Sequence, residues 1–312
     1  MGALGSMVVA LAAMGAASLA PAAETQGQPA KPPEKPKWAK VVPKTPEGFK
    51  LVTDTIATYG TNRVEISVYV PQRDGSYPCI LDIHGGGWQA RQVESDKPMM
   101  ERLAERGFVT ALVAYRLSSM APYPAALHDC KAAVRHLRAN ARRYKIDPKR
   151  IGVMGGSAGG HLSGLLAMTS GKREFEGPGP NPTYPSDVRA CIVMAATQDL
   201  EAANREKTST NAVVFFGASC TEKPGVYREA SPIAHVRAGV PPVLFIEGEK
   251  DSAKIGRPEM QEKLRSLGIE TAVHTLPGAP HPFWMSQPWL DQTVDLAAEF
   301  FKRHLGEPAI RP

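Results

Sequence analysis

From about residue 50 onward, short apolar runs alternate with longer stretches in which apolar residues recur every three or four positions. Residues 51–58 and 63–70 alternate apolar and polar side chains on either side of Tyr59-Gly60-Thr61-Asn62, which predicts a β-hairpin. Buried strands are predicted at six later runs of suitable length and apolar content: 79–84, 109–115, 151–154, 190–195, 243–247 and 271–276.

Helices are predicted between these strands. The clearest one covers residues 127–144, where Leu127, Cys130, Val134 and Leu137 share one helical face and basic residues lie between them. Four more helices are expected at 97–106, 161–168, 258–267 and 291–305. A hairpin followed by repeated strand–helix units is typical of the α/β class, so we expect one domain with an eight-stranded, mostly parallel sheet and helices on both faces.

Two segments do not follow this alternation. Residues 171–187 are rich in glycine and proline, and residues 201–227 show no clear periodicity. Because long irregular insertions in a compact domain usually lie over a functional site, we expect both segments to form the rim or lid of a site.

The first 47 residues differ from the rest of the chain. Residues 7–19 form an apolar, alanine-rich run that is too short to cross a bilayer core of ~30 Å, and Ala20-Pro21-Ala22 follows it. This pattern predicts an export signal at 1–22, a Pro/Lys-rich linker at 23–47, a catalytic domain at 48–306 and a tail at 307–312. We therefore expect an exported protein, periplasmic or secreted, with no membrane span.

Charge and cysteine content exclude several classes of function. The formal net charge is +6, of which the five lysines and two glutamates of residues 24–46 contribute +3, so the remaining body is nearly neutral. Nucleic acid is not an expected partner, because phosphate binding needs a concentrated basic face. Cys79, Cys130, Cys191 and Cys220 have no metal-type spacing and lie in apolar runs, which favours buried thiols. A Cys191–Cys220 bridge stays open for an exported chain, and no metal or other cofactor is predicted.

A serine between glycines is the first candidate for chemistry. Gly155-Gly156-Ser157-Ala158-Gly159-Gly160 follows a predicted strand and precedes a predicted helix, as in the G-x-S-x-G nucleophile elbow. Only small neighbours allow the strand and helix to approach so closely. A Walker loop would require Lys-Ser/Thr where His161-Leu162 stands, and the dinucleotide-binding spacing does not fit either. The motif therefore predicts that Ser157 is a nucleophile.

A glycine turn follows the predicted strand 79–84. In His84-Gly85-Gly86-Gly87-Trp88, we expect the N–H groups of Gly86 and Gly87 to form an oxyanion hole together with that of Ala158. Gly85 would shape the turn, and His84 is expected to be a structural hydrogen-bonding residue.

A serine hydroxyl needs a histidine to take its proton and a carboxylate to orient that histidine. Among eight histidines, His281 lies in a loop directly after the predicted strand 271–276, where α/β proteins build their sites. Asp251 follows the predicted strand 243–247 in the same way, and Asp199 is an alternative acid. The order Ser157, Asp251, His281 is that of α/β-hydrolases.

With these motifs the chain resembles the α/β-hydrolase carboxylesterases that carry an H-G-G-G turn, most of all the feruloyl-esterase-like BD-FAE group. The resemblance covers about residues 48–305 and includes His84–Trp88, Ala114–Leu117, Tyr123–Cys130, Gly155–Leu162, Ala230–Ile233 and Gly248–Asp251. It assigns the nucleophile, acid and base to Ser157, Asp251 and His281. Two departures are the absence of the Asp-Pro-Leu acid motif of the hormone-sensitive-lipase branch and the unusual stretch Cys191–Leu200.

The resemblance implies a bacterial serine esterase that removes acetyl, methyl or feruloyl groups from plant polysaccharides. Trp88 and Trp284 lie close in sequence to site loops and are candidates for packing against a sugar. Three alternatives stay open: a peptidase, a small-molecule or lipid esterase of the hormone-sensitive-lipase type, and a binding protein without activity. The expected partner is a small-molecule or polysaccharide ester, and the sequence does not predict an oligomeric state.

Overall fold

The computed structural model describes residues 41–310. The predicted export signal at 1–22 and residues 23–40 of the predicted linker lie outside the described residues, as do the last two residues of the tail. Within 41–310, no helix has the length and apolar content needed to cross a membrane.

A mixed sheet forms the centre of the fold, with its strands in the order β1-β2-β4-β3-β5-β6-β7-β8. The first two strands form the predicted hairpin, β2 runs antiparallel to β4, and the strands from β4 to β8 are mutually parallel. The strands are β1 Phe49–Tyr59, β2 Asn62–Pro71, β3 Gly75–Ile83, β4 Val109–Ala114, β5 Ile146–Gly156, β6 Cys191–Met194, β7 Val243–Gly248 and β8 Thr271–Leu276. All eight predicted strands are present, and the prediction of an eight-stranded, mostly parallel sheet is confirmed.

The end of the chain contributes a short ninth strand that the sequence reading missed. Ala309–Ile310, β9, pairs antiparallel with the start of β3, so this part of the predicted tail belongs to the sheet. Two residues carry no periodicity of their own, and only the free edge at Gly75 and Ser76 makes the segment a strand.

Nine α-helices lie in the described part of the chain, and five of them match predicted helices. The helix expected at 127–144 ends at Asn140 and continues as a separate single turn, because the backbone of Asn140 leaves the helical conformation. The helices are α1 Val93–Glu105, α2 Ala125–Ala139, α3 Ala141–Tyr144, α4 Ala158–Met168, α5 Leu200–Asn204, α6 Thr210–Phe216, α7 Pro224–Glu229, α8 Arg257–Ser266 and α9 Trp289–Leu305.

Two apolar clusters cover the two faces of the sheet. One joins alternate strand residues to α2 and α4, and the other joins the intervening strand residues to α1 and α9. Helices therefore cover both faces of the sheet, as predicted. All four cysteines are buried and unpaired, which confirms the buried-thiol interpretation.

The first irregular insertion, residues 171–187, packs on α2 and does not form the rim of a site. Glu176 accepts hydrogen bonds from Arg135, at 2.7 Å, and from Ser186, at 2.6 Å, and it pairs with Lys131 at 3.3 Å. The lysine and the arginine lie on α2 and are 0% and 2% exposed, so the insertion supplies the negative charge that these buried cations require. The expectation of a lid at 171–187 is wrong, because this segment packs on α2 and lines no part of the cavity described below.

The final residues of the predicted linker also pack on the domain. The N–H of Lys44 donates to the carboxylate of Glu101 in α1 at 2.9 Å, and Pro46 is buried. A spacer fully surrounded by solvent therefore does not extend as far as residue 47.

Candidate active site

Ser157 lies in the sharp turn between β5 and α4. Its φ of 56° and ψ of −123° are a strained conformation for a residue with a side chain, and its side chain is partly exposed. A Cβ at Gly155 would lie 2.5 Å from the Ile83 carbonyl oxygen, and one at Gly159 would collide with the same carbonyl group. The glycines around Ser157 are thus needed to bring β3, β5 and α4 together, and they leave the serine raised at the sheet edge.

The glycine turn lies beside this serine. A Cβ at Gly85 would be 3.5 Å from the Cβ of Ser157, while Gly86 and Gly87 have φ angles of 101° and 59°. Among residues 41–310, the N–H groups of Gly86 and Gly87 donate to no other group. Ala158 is the first residue of α4, where the helix itself provides no acceptor for the N–H. Three unpaired donors therefore lie close to Ser157, as an oxyanion hole requires.

The segment after β4 holds the glycine turn in place. Ser118 donates from its N–H and from its hydroxyl to the carbonyl of Trp88, at 2.8 and 2.9 Å, and the Tyr115 hydroxyl donates to the carbonyl of His84. His84 is 1% exposed and stacks on Tyr115, and burial lowers its pKa to about 4. A neutral, buried ring of this kind supports the turn, in agreement with the structural role expected for His84.

Asp251 and His281 meet at the ends of β7 and β8. His281 Nδ1 donates to Asp251 Oδ2 at 2.7 Å; the aspartate side chain is 2% exposed and that of the histidine 38%. Burial raises the pKa of Asp251, but the hydrogen bonds from His281 and from the Ala253 N–H outweigh this effect and hold it below its usual value. An ionised carboxylate thus orients the imidazole so that Nε2 is left to take a proton.

Backbone hydrogen bonds join the loops that carry these two residues. The N–H of Glu249 donates to the carbonyl of Leu276, and that of Lys250 donates to the carbonyl of Ala279, at 3.0 and 3.1 Å. The Glu249 carboxylate in turn accepts the Gly278 N–H at 2.7 Å. The Asp251–His281 contact is therefore fixed by its own loops before any substrate arrives.

Trp284 connects this pair with the serine turn. Its indole fills the space that a side chain at Gly156 would occupy, and it meets the His281 ring edge to face at a centroid distance of 5.3 Å. Within residues 41–310, no hydrogen bond joins the Ser157 hydroxyl to His281. Such contacts are often long in a free enzyme and tighten when substrate binds. We call Gly86, Gly87, Ser157, Asp251 and His281 the catalytic edge.

The alternative acid does not reach this edge. Asp199 caps the N-terminus of α5, where its Oδ1 accepts the Ala202 N–H at 2.9 Å. Glu247, in β7, is paired with Arg257 at 2.9 Å. Of the carboxylates considered from sequence, only Asp251 contacts the histidine.

A cavity of about 340 Å³ opens directly beside Ser157. Small side chains line it close to the serine, including Ala158, Ala195 and Ala196, while Thr197, Asn204 and Asn211 offer polar groups further out. The segment 195–212, which we call the cavity wall, therefore shapes the space that a substrate would fill. The second irregular insertion overlaps this wall, so part of it lies where the sequence analysis expected a rim.

Sequence reasoning missed two residues of the cavity. Asn211 in α6 accepts a hydrogen bond from the Gln89 side chain at 2.7 Å, and its Nδ2 would lie 2.5 Å from a Cβ at Gly87. His161 in α4 donates from Nε2 to the Ala230 carbonyl at 2.8 Å, and burial lowers its pKa to about 4. The position of Asn211 depends on how α6 packs across the glycine turn, for which the sequence carries no signal.

The two tryptophans proposed to pack on a sugar differ in the structure. Trp88 lines the cavity but is only 8% exposed, because one face stacks on Phe215. Trp284 is 1% exposed and donates its indole N–H to Asp96 at 3.1 Å. The expectation of a substrate-facing ring is wrong for Trp284, because the indole is enclosed between α1 and the serine turn.

Comparison with known proteins agrees with this geometry. The BD-FAE family model matches residues 66–256, more than half of the chain. The chain belongs to the BD-FAE family. The resemblance to H-G-G-G carboxylesterases of this group is thereby confirmed, and the match includes both the glycine turn and the serine turn.

Named relatives of this BD-FAE chain are esterases. Esterase LipQ of Mycobacterium tuberculosis is 30% identical over 245 residues, which are 74% of this chain and 53% of LipQ, so the chain spans about half the length of that relative. Carboxylesterase NlhH of the same organism is 25% identical over 78% of each chain.

A solved structure, a truncated carbohydrate esterase from gut microbiota, has a TM-score of 0.71 at 25% identity. It covers 84% of this chain and is itself covered completely. The fold of a carbohydrate esterase therefore extends over most of the residues that carry the site.

Proposed function

We propose that this chain is a serine carboxylesterase that works through an acyl-enzyme. Ser157 attacks the ester carbonyl while His281 Nε2 takes its proton, and Asp251 holds the imidazole and stabilises its protonated form. The N–H groups of Gly86, Gly87 and Ala158 bind the oxyanion. His281 then gives the proton to the departing alcohol, and a water molecule repeats the sequence on the acyl group.

The observation that carries this proposal is the Asp251–His281 hydrogen bond at the same sheet edge as a strained serine and three unpaired N–H donors. The serine hydroxyl is a weak nucleophile alone, and this combination supplies both the base and the oxyanion site that it needs. Within residues 41–310, no group of histidine, cysteine or acidic side chains is arranged to hold a metal ion.

We further propose that the preferred substrates are short acyl esters of hydroxylated alcohols, such as acetyl groups on plant polysaccharides. The alanines beside Ser157 leave room for a small acyl group, and the polar side chains of Thr197, Asn204 and Asn211 can bind hydroxyl groups of a sugar. The fold shared with a carbohydrate esterase adds support.

A lipid or small-molecule esterase is the second candidate. It is favoured by the names of LipQ and NlhH and by exposed apolar side chains at Val213, Val214 and Ile255, of which Ile255 lines the cavity.

One set of assays tests the activity and separates these candidates. We expect p-nitrophenyl acetate to be hydrolysed faster than the butyrate and much faster than the octanoate, and acetylated xylan to release acetate. Ser157→Ala should abolish hydrolysis, and an organophosphate should label wild type but not this variant. An Ser157→Ala variant with full activity would overturn the mechanism, whereas preference for octanoate would favour the lipid esterase. Faster cleavage of a peptide anilide than of the acetate would favour a peptidase.

Export stays a proposal that rests on the amino-acid pattern of residues 1–22. Fractionation of cells that express the full chain, and a variant without residues 2–22, should place only the full chain outside the cytoplasm.

A further inference from the structure

Two buried carboxyl groups lie behind the catalytic edge and take no part in the mechanism above. Asp82 is in β3 and Asp96 is in α1, and each is 1% exposed. No lysine or arginine among residues 41–310 forms an ion pair with either group. Burying two acids without a cation is costly, since each carboxyl loses its hydration and they repel each other when ionised.

Burial shifts the pKa values of both carboxyl groups in the direction that relieves this conflict. Burial and the neighbouring charge of Asp96 raise the pKa of Asp82, and neither carboxylate oxygen of Asp82 has a hydrogen-bond partner among residues 41–310. Burial also raises the pKa of Asp96, although the hydrogen bond from Trp284 partly opposes this effect. A proton on Asp82 therefore avoids placing two buried negative charges side by side. The titratable groups that face the pair are Tyr115 and Cys130, whose pKa values burial raises as well, so they add no charge.

Asp96 accepts a hydrogen bond from the Trp284 side chain. The indole Nε1 donates to Asp96 Oδ1 at 3.1 Å, and the ring is 1% exposed. The other edge of the same ring stands against His281, and its benzene portion fills the space beside Gly156. The ring therefore contacts the base and the serine turn at once, and its orientation depends on the bond to Asp96.

We propose that Asp96 is a positioning residue for the general base: by holding the Trp284 indole, it sets where the His281 ring lies relative to Ser157. This inference rests on the proposed esterase function. A buried polar pair adds little net stability. If packing were the whole role of these residues, an apolar pair of similar volume would serve equally well. The hydrogen bond from Trp284 to Asp96 instead has a direction, which fixes the rotation of the indole in a way that apolar packing does not.

Three variants and one matched control test this positioning role. Asp96→Leu removes the acceptor, Trp284→Phe removes the donor but keeps a ring, and Asp96→Asn keeps an oxygen that accepts the indole N–H. Glu101→Leu is the control, since Glu101 is another buried acid of α1, 6% exposed, that accepts from Tyr69 at 2.7 Å and lies away from the catalytic edge. Each variant is assayed for kcat and KM, and its melting temperature is measured.

We expect Asp96→Leu and Trp284→Phe to lower kcat by about 10- to 100-fold with KM changed less than about threefold, because displacing a base by about 1 Å costs this much. Asp96→Asn should recover kcat to within about threefold of wild type, and Glu101→Leu should lower the melting temperature with kcat unchanged. Equal kcat values for Asp96→Leu and Glu101→Leu at similar melting temperatures would overturn the inference. If Asp96→Leu does not fold, a Trp284→Phe variant with the kcat of wild type would likewise overturn the inference.

A proton NMR measurement separates this inference from the proposed function. The imidazole N–H in the Asp251–His281 hydrogen bond should give a downfield resonance in wild type and in Glu101→Leu, and it should shift or broaden in Asp96→Leu. This readout needs no substrate. A shifted resonance in a protein without esterase activity would contradict only the proposed function, and an unshifted one in an active esterase would contradict only the positioning role.

Discussion

The catalytic edge and the cavity wall are neighbours, but they are built in different ways. The edge consists of strand ends and short loops that hydrogen bonds fix on every side, from the Ser118–Trp88 contact to the Asp251–His281 pair. The wall consists of short helices and irregular chain, and its polar residue Asn211 is exposed. A rigid edge suits chemistry that tolerates little displacement, and a looser wall suits a choice among substrates. Changes at the edge should therefore act on kcat, and changes at the wall on KM.

The largest effect on the edge is expected from Asp251→Asn. The carboxamide keeps the size of the side chain but no longer selects the imidazole tautomer or stabilises its charge, which costs ~10⁴-fold in kcat in serine hydrolases. Steady-state kinetics with p-nitrophenyl acetate measures the loss. Asp199→Asn is the matched control, because that residue caps α5 and should leave kcat unchanged. If the two variants lost activity equally, Asp251 would not be the acid.

Gly87→Ala should reduce kcat by ~10²–10³-fold, the usual cost of losing one oxyanion donor. Gly87 has a φ of 59°, which strains an alanine at this position, and the added methyl group would push against the Asn211 side chain. We expect the turn to relax from this conformation and carry its N–H away from the oxyanion. Gly239→Ala has the same kind of backbone, with a φ of 83° and open space around it, and controls for backbone strain alone. A Gly87→Ala variant with normal kcat and a lowered melting temperature would remove this turn from the mechanism.

Acid pH should lower the free energy of unfolding as well as the activity. Burial lowers the pKa of His84 and of His161 to about 4, below the value of ~6.5 for a free imidazole, so the unfolded chain binds these protons first. Their contribution to stability is complete above about pH 6.5 and is lost as the pH falls toward 4. For a buried ring this amounts to about 3 kcal/mol.

Urea unfolding between pH 7 and 4 measures this loss, and His161→Gln should flatten part of the slope. Activity that is lost at acid pH while the unfolding free energy is still high would report on the general base and not on the fold. A pH–rate profile that stays flat down to pH 4 would contradict a histidine base.

The smallest effect should come from the cavity wall. Asn211→Ala removes one polar group from the cavity and its bond to Gln89, so we expect KM for a sugar ester to rise about 2- to 10-fold with kcat nearly constant. Asn140→Ala, which removes a hydrogen bond at the end of α2, is the control. A large drop in kcat for Asn211→Ala would mean that the wall takes part in the chemistry, and the contrast between the two regions would fail.

The amino-acid pattern determined much of this protein. Apolar periodicity predicts the eight main strands, because buried strands and amphipathic helices leave strong local signals. Ser157, Asp251 and His281 are recognisable because each follows a strand, and parallel strand ends meet at one edge. The glycines were informative for a steric reason, since only they fit between β3 and the serine turn.

Only the tertiary structure decided which polar groups meet across long stretches of sequence. The two irregular insertions look alike in sequence, yet Glu176 of the first neutralises buried cations of α2, and the second includes part of the cavity wall. The sequence predicts that Trp284 packs against a sugar, whereas the structure encloses it against Asp96. Such pairings leave no periodic trace, because they depend on how helices pack over the sheet and on which buried charges need a partner there.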